Sequence, residues 1–266
     1  MKIFHDHIIP KAIMVFYLFS LITLTSCKED LQSPENCLLA SIQYNSNNWL
    51  ELLTISGGTM YQLKQYVRVE GETKLFASYQ YKYLKDSVII RDQLNAAKYR
   101  YPYITAKLDQ AIPVQVVRYS PATEIRVVFD IDYTDPGLII VKLTRVTNEG
   151  DRLLFAYGHY ELDGNGNVVH VTRYRINTAT FAEFNIYEDR YYTYDDYANP
   201  MKGLILPFFA SATSPDIKFF SQNNPLTVTE NNQLARYAYQ YGNSNNTLSQ
   251  IPPDGDPVTF SFLNCD

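Results

Sequence analysis

From Cys37 onward, apolar and polar residues alternate in short runs bounded by turn formers, the period-two signature of half-buried β-strands. Runs Trp49–Ser56 and Thr59–Glu70 flank Gly57-Gly58. A turn at Glu70-Gly71-Glu72 leads into Lys74–Tyr83, and Leu84-Lys85-Asp86 turns into Ser87–Asp92. Tyr99–Leu108, Val114–Tyr119, Glu124–Tyr133 and Leu138–Thr147 follow, separated by Asp109–Pro113, Ser120-Pro121 and Asp135-Pro136-Gly137. Arg152–Leu162 and Asn167–Asn177 bracket Asp163-Gly164-Asn165-Gly166, the strongest hairpin signal of the chain because its Gly and Asn residues accept positive φ. No stretch carries the pattern of a long amphipathic helix.

Connections this short join antiparallel neighbours, since parallel pairing needs crossovers of a dozen residues or more. The pattern therefore predicts an all-β fold: one antiparallel meander forming a large curved sheet or a partly closed barrel. Lys64, Arg68, Lys82, Arg118, Lys142, Arg145, Arg173 and Arg175 interrupt the strands, so the prediction is a structure that does not span a membrane, whose lipid face would have to be apolar. Tyr79/Tyr81/Tyr83, Tyr99/Tyr101/Tyr103, Tyr192/Tyr194 and Tyr237/Tyr239/Tyr241 occupy alternate positions, so each set projects from one strand face. The rhythm fails around Gly203–Ser214, where Leu204-Ile205-Leu206-Pro207-Phe208-Phe209 is an apolar insertion suited to plugging a barrel end, packing as a short helix, or meeting a partner.

Composition agrees: 23 Tyr and 14 Phe against one Trp is a strand former's inventory. The N-terminus is different in kind. Lys2 and Lys11 precede an apolar run, Ile13–Leu24, too short for a comfortable membrane span, which reads as a signal peptide over 1–26. Thr25-Ser26-Cys27 resembles a bacterial lipobox, in which Cys27 is lipidated and becomes the new N-terminus. Lys28-Glu29-Asp30 resembles the lysine-plus-acidic export signal that sends Bacteroidota-type lipoproteins to the outer face of the outer membrane. The polar stretch 27–36 reads as a flexible spacer and 37–266 as the β domain.

Cleavage removes Lys2, Lys11 and Asp6, leaving 21 basic and 27 acidic side chains and a charge of −6, which argues against a nucleic acid partner. In an oxidising compartment Cys37 and Cys265 are placed to clasp the ends of the domain with a disulfide, stabilising it by roughly 5 kcal/mol in the chain-entropy model. Two buried free thiols are the alternative.

Tyr192-Thr193-Tyr194-Asp195-Asp196-Tyr197-Ala198-Asn199-Pro200-Met201-Lys202-Gly203-Leu204, with Ser221-Gln222-Asn223-Asn224 and a last strand at Ala235–Tyr241, resembles Bacteroidota outer-membrane lipoproteins of unknown function built from YD-like hairpins with a porin-like antiparallel fold. The resemblance implies a fold and an envelope location. It implies no reaction and brings no catalytic residue.

Candidate chemistry is sparse. Beyond the leader the histidines are His159 and His170; a four-residue turn would set them opposite each other with Glu161 on the same face, short of a complete metal ligand set. Asp163–Asn167 imitates a calcium loop, but Val168 stands where the sixth position needs glycine and Tyr174 where the twelfth needs glutamate. Asp130 and Asp132 sit on one strand face, about 7 Å apart, a spacing that suits an acid/base pair. No serine elbow, cysteine–histidine pair, zinc-protease helix or phosphate loop occurs, so neither a catalytic residue nor a cofactor is assigned. Tyr79, Tyr81, Tyr83, Tyr237, Tyr239 and Tyr241 are the candidate binding residues. The reading is a non-enzymatic, surface-exposed envelope lipoprotein, held to the membrane by its lipid, that binds a glycan or an envelope protein or serves a structural role. An envelope hydrolase using Asp130/Asp132 is the alternative.

Overall fold

The computed structural model describes residues 38–54, 60–94, 102–120, 124–176, 184–202, 204, 216–241, 247–251 and 256–263, all within a compact unit spanning Pro34–Asp266. The tether residues Cys27, Lys28, Glu29 and Asp30, the pair Cys37 and Cys265, and Tyr99 and Tyr101 lie outside them.

The described residues form seventeen strands in one sheet. In chain order they are β1 (Leu38–Asn45), β2 (Asn48–Thr54), β3 (Met60–Val69), β4 (Glu72–Leu84), β5 (Ser87–Asp92), β6 (Ile104–Asp109), β7 (Ile112–Ser120), β8 (Ile125–Asp135), β9 (Leu138–Val146), β10 (Arg152–Leu162), β11 (Val168–Ile176), β12 (Phe184–Ala198), β13 (Asn223–Glu230), β14 (Gln233–Arg236), β15 (Ala238–Tyr241), β16 (Thr247–Ile251) and β17 (Val258–Leu263). Each strand from β1 to β14 pairs antiparallel with the next, and β15 to β17 continue likewise. β17 then pairs with β1, Leu38 facing Leu263, so the meander returns to its start. The circuit changes hands only at Tyr237, where β14 leans on β13 and β15 on β16. The result is a nearly closed barrel.

Three features escape the sequence pattern. β1 lies ahead of Trp49–Ser56, the first run that the pattern marks out. The strand at Ala235–Tyr241 is not the last, because β16 and β17 complete the circuit. The connection between β6 and β7, expected over Asp109–Pro113, takes an unadvertised form, a two-residue turn at Gln110 and Ala111, both with positive φ (47° and 68°) and neither of them Gly or Asn.

One face of every long strand points inward. Leu52 faces Leu63 across β2 and β3, Ile131 faces Val141 and Phe129 faces Leu143 across β8 and β9, and Tyr160 faces Val171 across β10 and β11. These residues join one continuous buried cluster with Ile42, Phe260 and the turn residues Ile217, Phe219 and Phe220. A round barrel of so many strands encloses a channel. Among the described residues the inner face carries one continuous core, and the last residues before β13 pack onto it, with Phe220 edge-on to Tyr160 at 5.1 Å.

The outward face is polar through mid-strand: Glu51 faces Lys64 and Asp130 faces Lys142. A charge on the lipid face at mid-bilayer costs about 2–4 kcal/mol, so this wall is suited to water. No helix among the described residues is long and apolar enough to cross a membrane.

Gly158 marks a close approach within the inner wall. It faces Val141 on one side and Arg173 on the other, and a Cβ there would lie 2.9 Å from the Tyr160 ring. The missing side chain is the space the ring occupies. Gly158→Ala is expected to destabilise the barrel by about 1–3 kcal/mol through overpacking, read as a lower urea midpoint at unchanged slope.

Candidate functional site

The inner wall carries a row of alternating charges that apolar packing alone does not predict. Arg173 on β11 donates from Nη1 to Glu188 Oε2 on β12 at 2.6 Å. Arg190 Nη1 lies 3.1 Å from Glu188 Oε1, and Arg190 Nη2 lies 3.0 Å from Glu230 Oε2 on β13. The strand register places these groups side by side, since Arg173 faces Glu188 and Arg190 faces Glu230. The first pair is buried, with side chains 11% and 9% exposed, while Arg190 and Glu230 are 37% exposed, so the row climbs from the core to solvent. Burial alone would lower the basicity of Arg173, but Tyr160 and Glu188 beside it push it above its ordinary value. Each charge is answered by a neighbour within the row, so its chemistry is cohesion.

The tyrosine rows turn the same way. Tyr79 and Tyr81 pair with Leu63 and Ile90 on the inner face, Tyr81 is buried, and Tyr79 packs on Tyr103 at 5.3 Å. Tyr83, 45% exposed, is the member of its row open to water. Tyr239 donates to Pro225 O at 2.6 Å and accepts from Gln250 Nε2 at 2.6 Å. Tyr237 is held as β14 passes to β15, its N–H donating to Leu226 O. The Tyr241 side chain lies outside the described residues.

The stretch that carries the family resemblance proves to be a latch. Asn199 Nδ2 donates to Lys218 O and Ser221 O, and its Oδ1 accepts from Met201 N. Ser221 Oγ accepts from Val168 N, Tyr194 donates its hydroxyl to Val168 O, and Asn223 N donates to Asn167 Oδ1. Asn167, Asn199, Ser221 and Asn224 are buried. These polar side chains satisfy the backbone of an irregular connection that would otherwise be buried unpaired.

The hairpin after β10 differs from the expected one by its register. Asp163 Oδ1 accepts from Asn165 N and Asn167 N, Gly166 takes φ 80°, and Asp163 N donates to Asn167 O. Asn167 is thereby drawn into the turn, and Leu162 pairs with Val168. A bulge at Val169, between the Leu162–Val168 and Glu161–His170 pairs, moves the register by one residue more, so that Glu161 faces His170 and His159 faces Thr172. The Asp163 carboxylate is engaged with its own backbone, as a turn residue is.

His170 lies outside the barrel between two carboxylates, Nδ1 3.1 Å from Glu161 Oε1 and Nε2 2.6 Å from Asp189 Oδ1, with its ring stacked on Tyr191 at 4.2 Å. Tyr157 stacks on Tyr174 at 4.4 Å, and His159 meets Tyr174 edge-on. Thr172 Oγ1, 3.3 Å from Nε2, completes a hydroxyl–imidazole–carboxylate line. That line lacks the chemistry of a nucleophilic triad, since Asp189 holds Nε2 more closely than Thr172 does and neighbouring strand amides are spent on the ladder. The two carboxylates address opposite ring nitrogens and so do not converge on a metal. Among the described residues no group of three or more His, Cys, Asp or Glu is placed to hold one.

Asp130 and Asp132 share the outer face but not a partner. Gln115 Nε2 donates to Asp130 at 2.6 Å, while Asp132 Oδ1 accepts from Thr134 N at 2.9 Å and from Thr134 Oγ1 at 2.7 Å. Those donors hold the Asp132 carboxyl below its ordinary range, the opposite of what a general acid needs. Asp132 also borders a cavity of about 430 Å3, shared with Asp109, Gln110, Ile112, Val114, Ile131, Tyr133 and Thr134.

No protein-family model matches the chain, and no curated protein sequence does. Among solved structures, a porin-like protein from Bacteroides uniformis is 11% identical over 85% of this chain and 96% of its own, with a TM-score of 0.45. A protein of unknown function from Bacteroides fragilis is 14% identical over 53% of this chain and 89% of its own, with a TM-score of 0.27.

Two measurements probe the interior. Arg173→Met leaves Glu188 short of its nearest cation and is expected to cost about 3–5 kcal/mol. In a cycle with Glu188→Gln the two losses fall short of additive by roughly 1–3 kcal/mol; additive losses would remove the coupling. Burial pushes the Tyr160 hydroxyl up to about 12, against the opposing pull of Arg173, and raises Tyr81 and Tyr192 as well. A raised folded value favours the neutral form, so this stability is complete below the ordinary value of 10.0 and is lost as pH rises through about 12. Tyrosinate absorbance and loss of the β signal in circular dichroism should therefore rise together above pH 10.

Proposed function

We propose that the chain is a lipid-anchored protein of the cell envelope that presents a rigid β barrel outside the outer membrane as a non-enzymatic binding or structural module, with a glycan or an envelope protein as its partner. The observation that carries this reading is the continuous buried cluster, with its paired charge row, on the inner face. An inner face spent on packing and ion pairs leaves the outer wall and the rims to meet a partner. Support for the anchor comes from the leader and the Thr25-Ser26-Cys27 site, and support for the outward address from Lys28-Glu29-Asp30. The pairing of Leu38 with Leu263 brings the two ends of the domain together, the condition on which a Cys37–Cys265 bridge depends. Support for a binding rather than a catalytic role comes from Asp130 and Asp132, which are held by separate partners.

Radiolabelled palmitate is expected to enter the wild-type protein and to be lost in Cys27→Ala, with external protease reaching the labelled protein in intact cells. Label retained in Cys27→Ala, or a protein recovered full length from the cytosol, overturns the anchor. Glycan arrays and affinity capture from envelope extracts are expected to return a partner without turnover of it; hydrolysis of a captured glycan by the purified protein overturns the non-enzymatic role.

A further inference from the structure

The cavity beside Asp132 is more than the solvated remnant of a discarded acid pair. It lies where the Gln110-Ala111 turn between β6 and β7 meets the end of β8, and at about 430 Å3 it falls in the range of small-ligand pockets. Its floor is apolar, built from Ile112, Val114 and Ile131, and Ile112 is 48% exposed. Its rim carries two carboxylates, Asp109 and Asp132; no lysine or arginine lines it, and the nearest cation acting on Asp132 is Lys142, on β9 opposite Asp130. Both Thr134 donors fall on Asp132 Oδ1, so Oδ2 keeps its acceptor capacity while the carboxylate is held in place.

These features select among ligands. An anion meets two negative groups on a protein whose mature charge is already −6. A bare divalent cation finds no third ligand and an apolar floor it cannot use. A neutral sugar finds one aromatic ring, Tyr133, which is half-buried and packed against the core. A molecule with an apolar body and an ammonium head satisfies floor and rim together. We propose that this cavity is a binding site for an organic ammonium ion, its hydrocarbon portion on Ile112, Val114 and Ile131 and its charge between Asp109 and Asp132.

The proposal rests on the reading of the chain as a binding module and names one ligand class for it. The test titrates hexylammonium into the purified full-length chain by calorimetry, with hexanol, hexanoate and calcium chloride as comparison probes and spermidine as a competitor. Hexylammonium should bind saturably, be displaced by spermidine, and weaken with added salt. Asp109→Asn and Asp132→Asn should each weaken it roughly tenfold, about the effect of losing one charge-assisted contact. Asn at 132 can still accept from both Thr134 donors, so the turn is retained, and circular dichroism checks it. Ile112→Trp, which fills the cavity from the apolar side, should abolish binding with both carboxylates intact. Equal binding of hexanol or hexanoate, unchanged affinity in both Asn variants, or calcium competing at equal affinity overturns the assignment. Such a failure, with palmitate labelling and partner capture intact, leaves the anchored module standing; loss of those with ammonium binding intact does the reverse.

Discussion

Everything in this fold depends on the first strand finding the last. Once β1 lies between β17 and β2, both its edges are consumed, and a meander that would otherwise be an open sheet acquires an inside and an outside. The inside must then be filled, because unpaired apolar faces from so many strands cannot be left around a wet channel. Ile42, Phe129, Leu143, Tyr160 and Phe260 fill it together with the turn carrying Ile217 and Phe219. The same closure confines open strand edge among the described residues to the short β14 and β15, where the circuit changes hands.

Closure also explains why charges are tolerated within. Arg173 and Glu188 would be costly apart, yet the register fixes them 2.6 Å from each other, and Arg190 and Glu230 extend the row to water. Gly158 belongs to the same construction, since the space it leaves open admits both the Tyr160 ring and the stem of Arg173. The polar latch of Asn167, Asn199, Ser221 and Asn223 plays the matching part at the irregular connection, where side chains stand in for the strand partners that the backbone lacks.

Strand existence was legible from period-two alternation, and Ser87–Asp92 and Arg152–Leu162 coincide with β5 and β10 in full. What was not legible is what alternation does not encode. Which face of a tyrosine row turns inward depends on the curvature of the whole sheet, so Tyr81 looks alike in sequence whether buried or displayed. The turn expected over Asp109–Pro113 is present, but its tight form at Gln110 and Ala111 was not legible, because these residues adopt positive φ without belonging to the types that favour it. The partnering of His170 with Glu161 and Asp189, rather than with His159, turned on two one-residue shifts, Asp163 drawing Asn167 into the turn and a bulge at Val169. The charge row was invisible for another reason: Arg173 read as an interruption of an apolar face, and its answer, Glu188, comes from the next strand.

The order in which the circuit is made has its own consequence. β1 is the first described strand to leave the ribosome and β17 the last, so the contact that seals the wall joins residues at opposite ends of the domain and belongs to the slow, non-local class of folding events. Until β17 is in place, β1 offers one bare edge and β16 another, and a crowded compartment is full of strands to borrow. A wall sealed by its last described strand is thus exposed to wrong partners for as long as that strand is awaited.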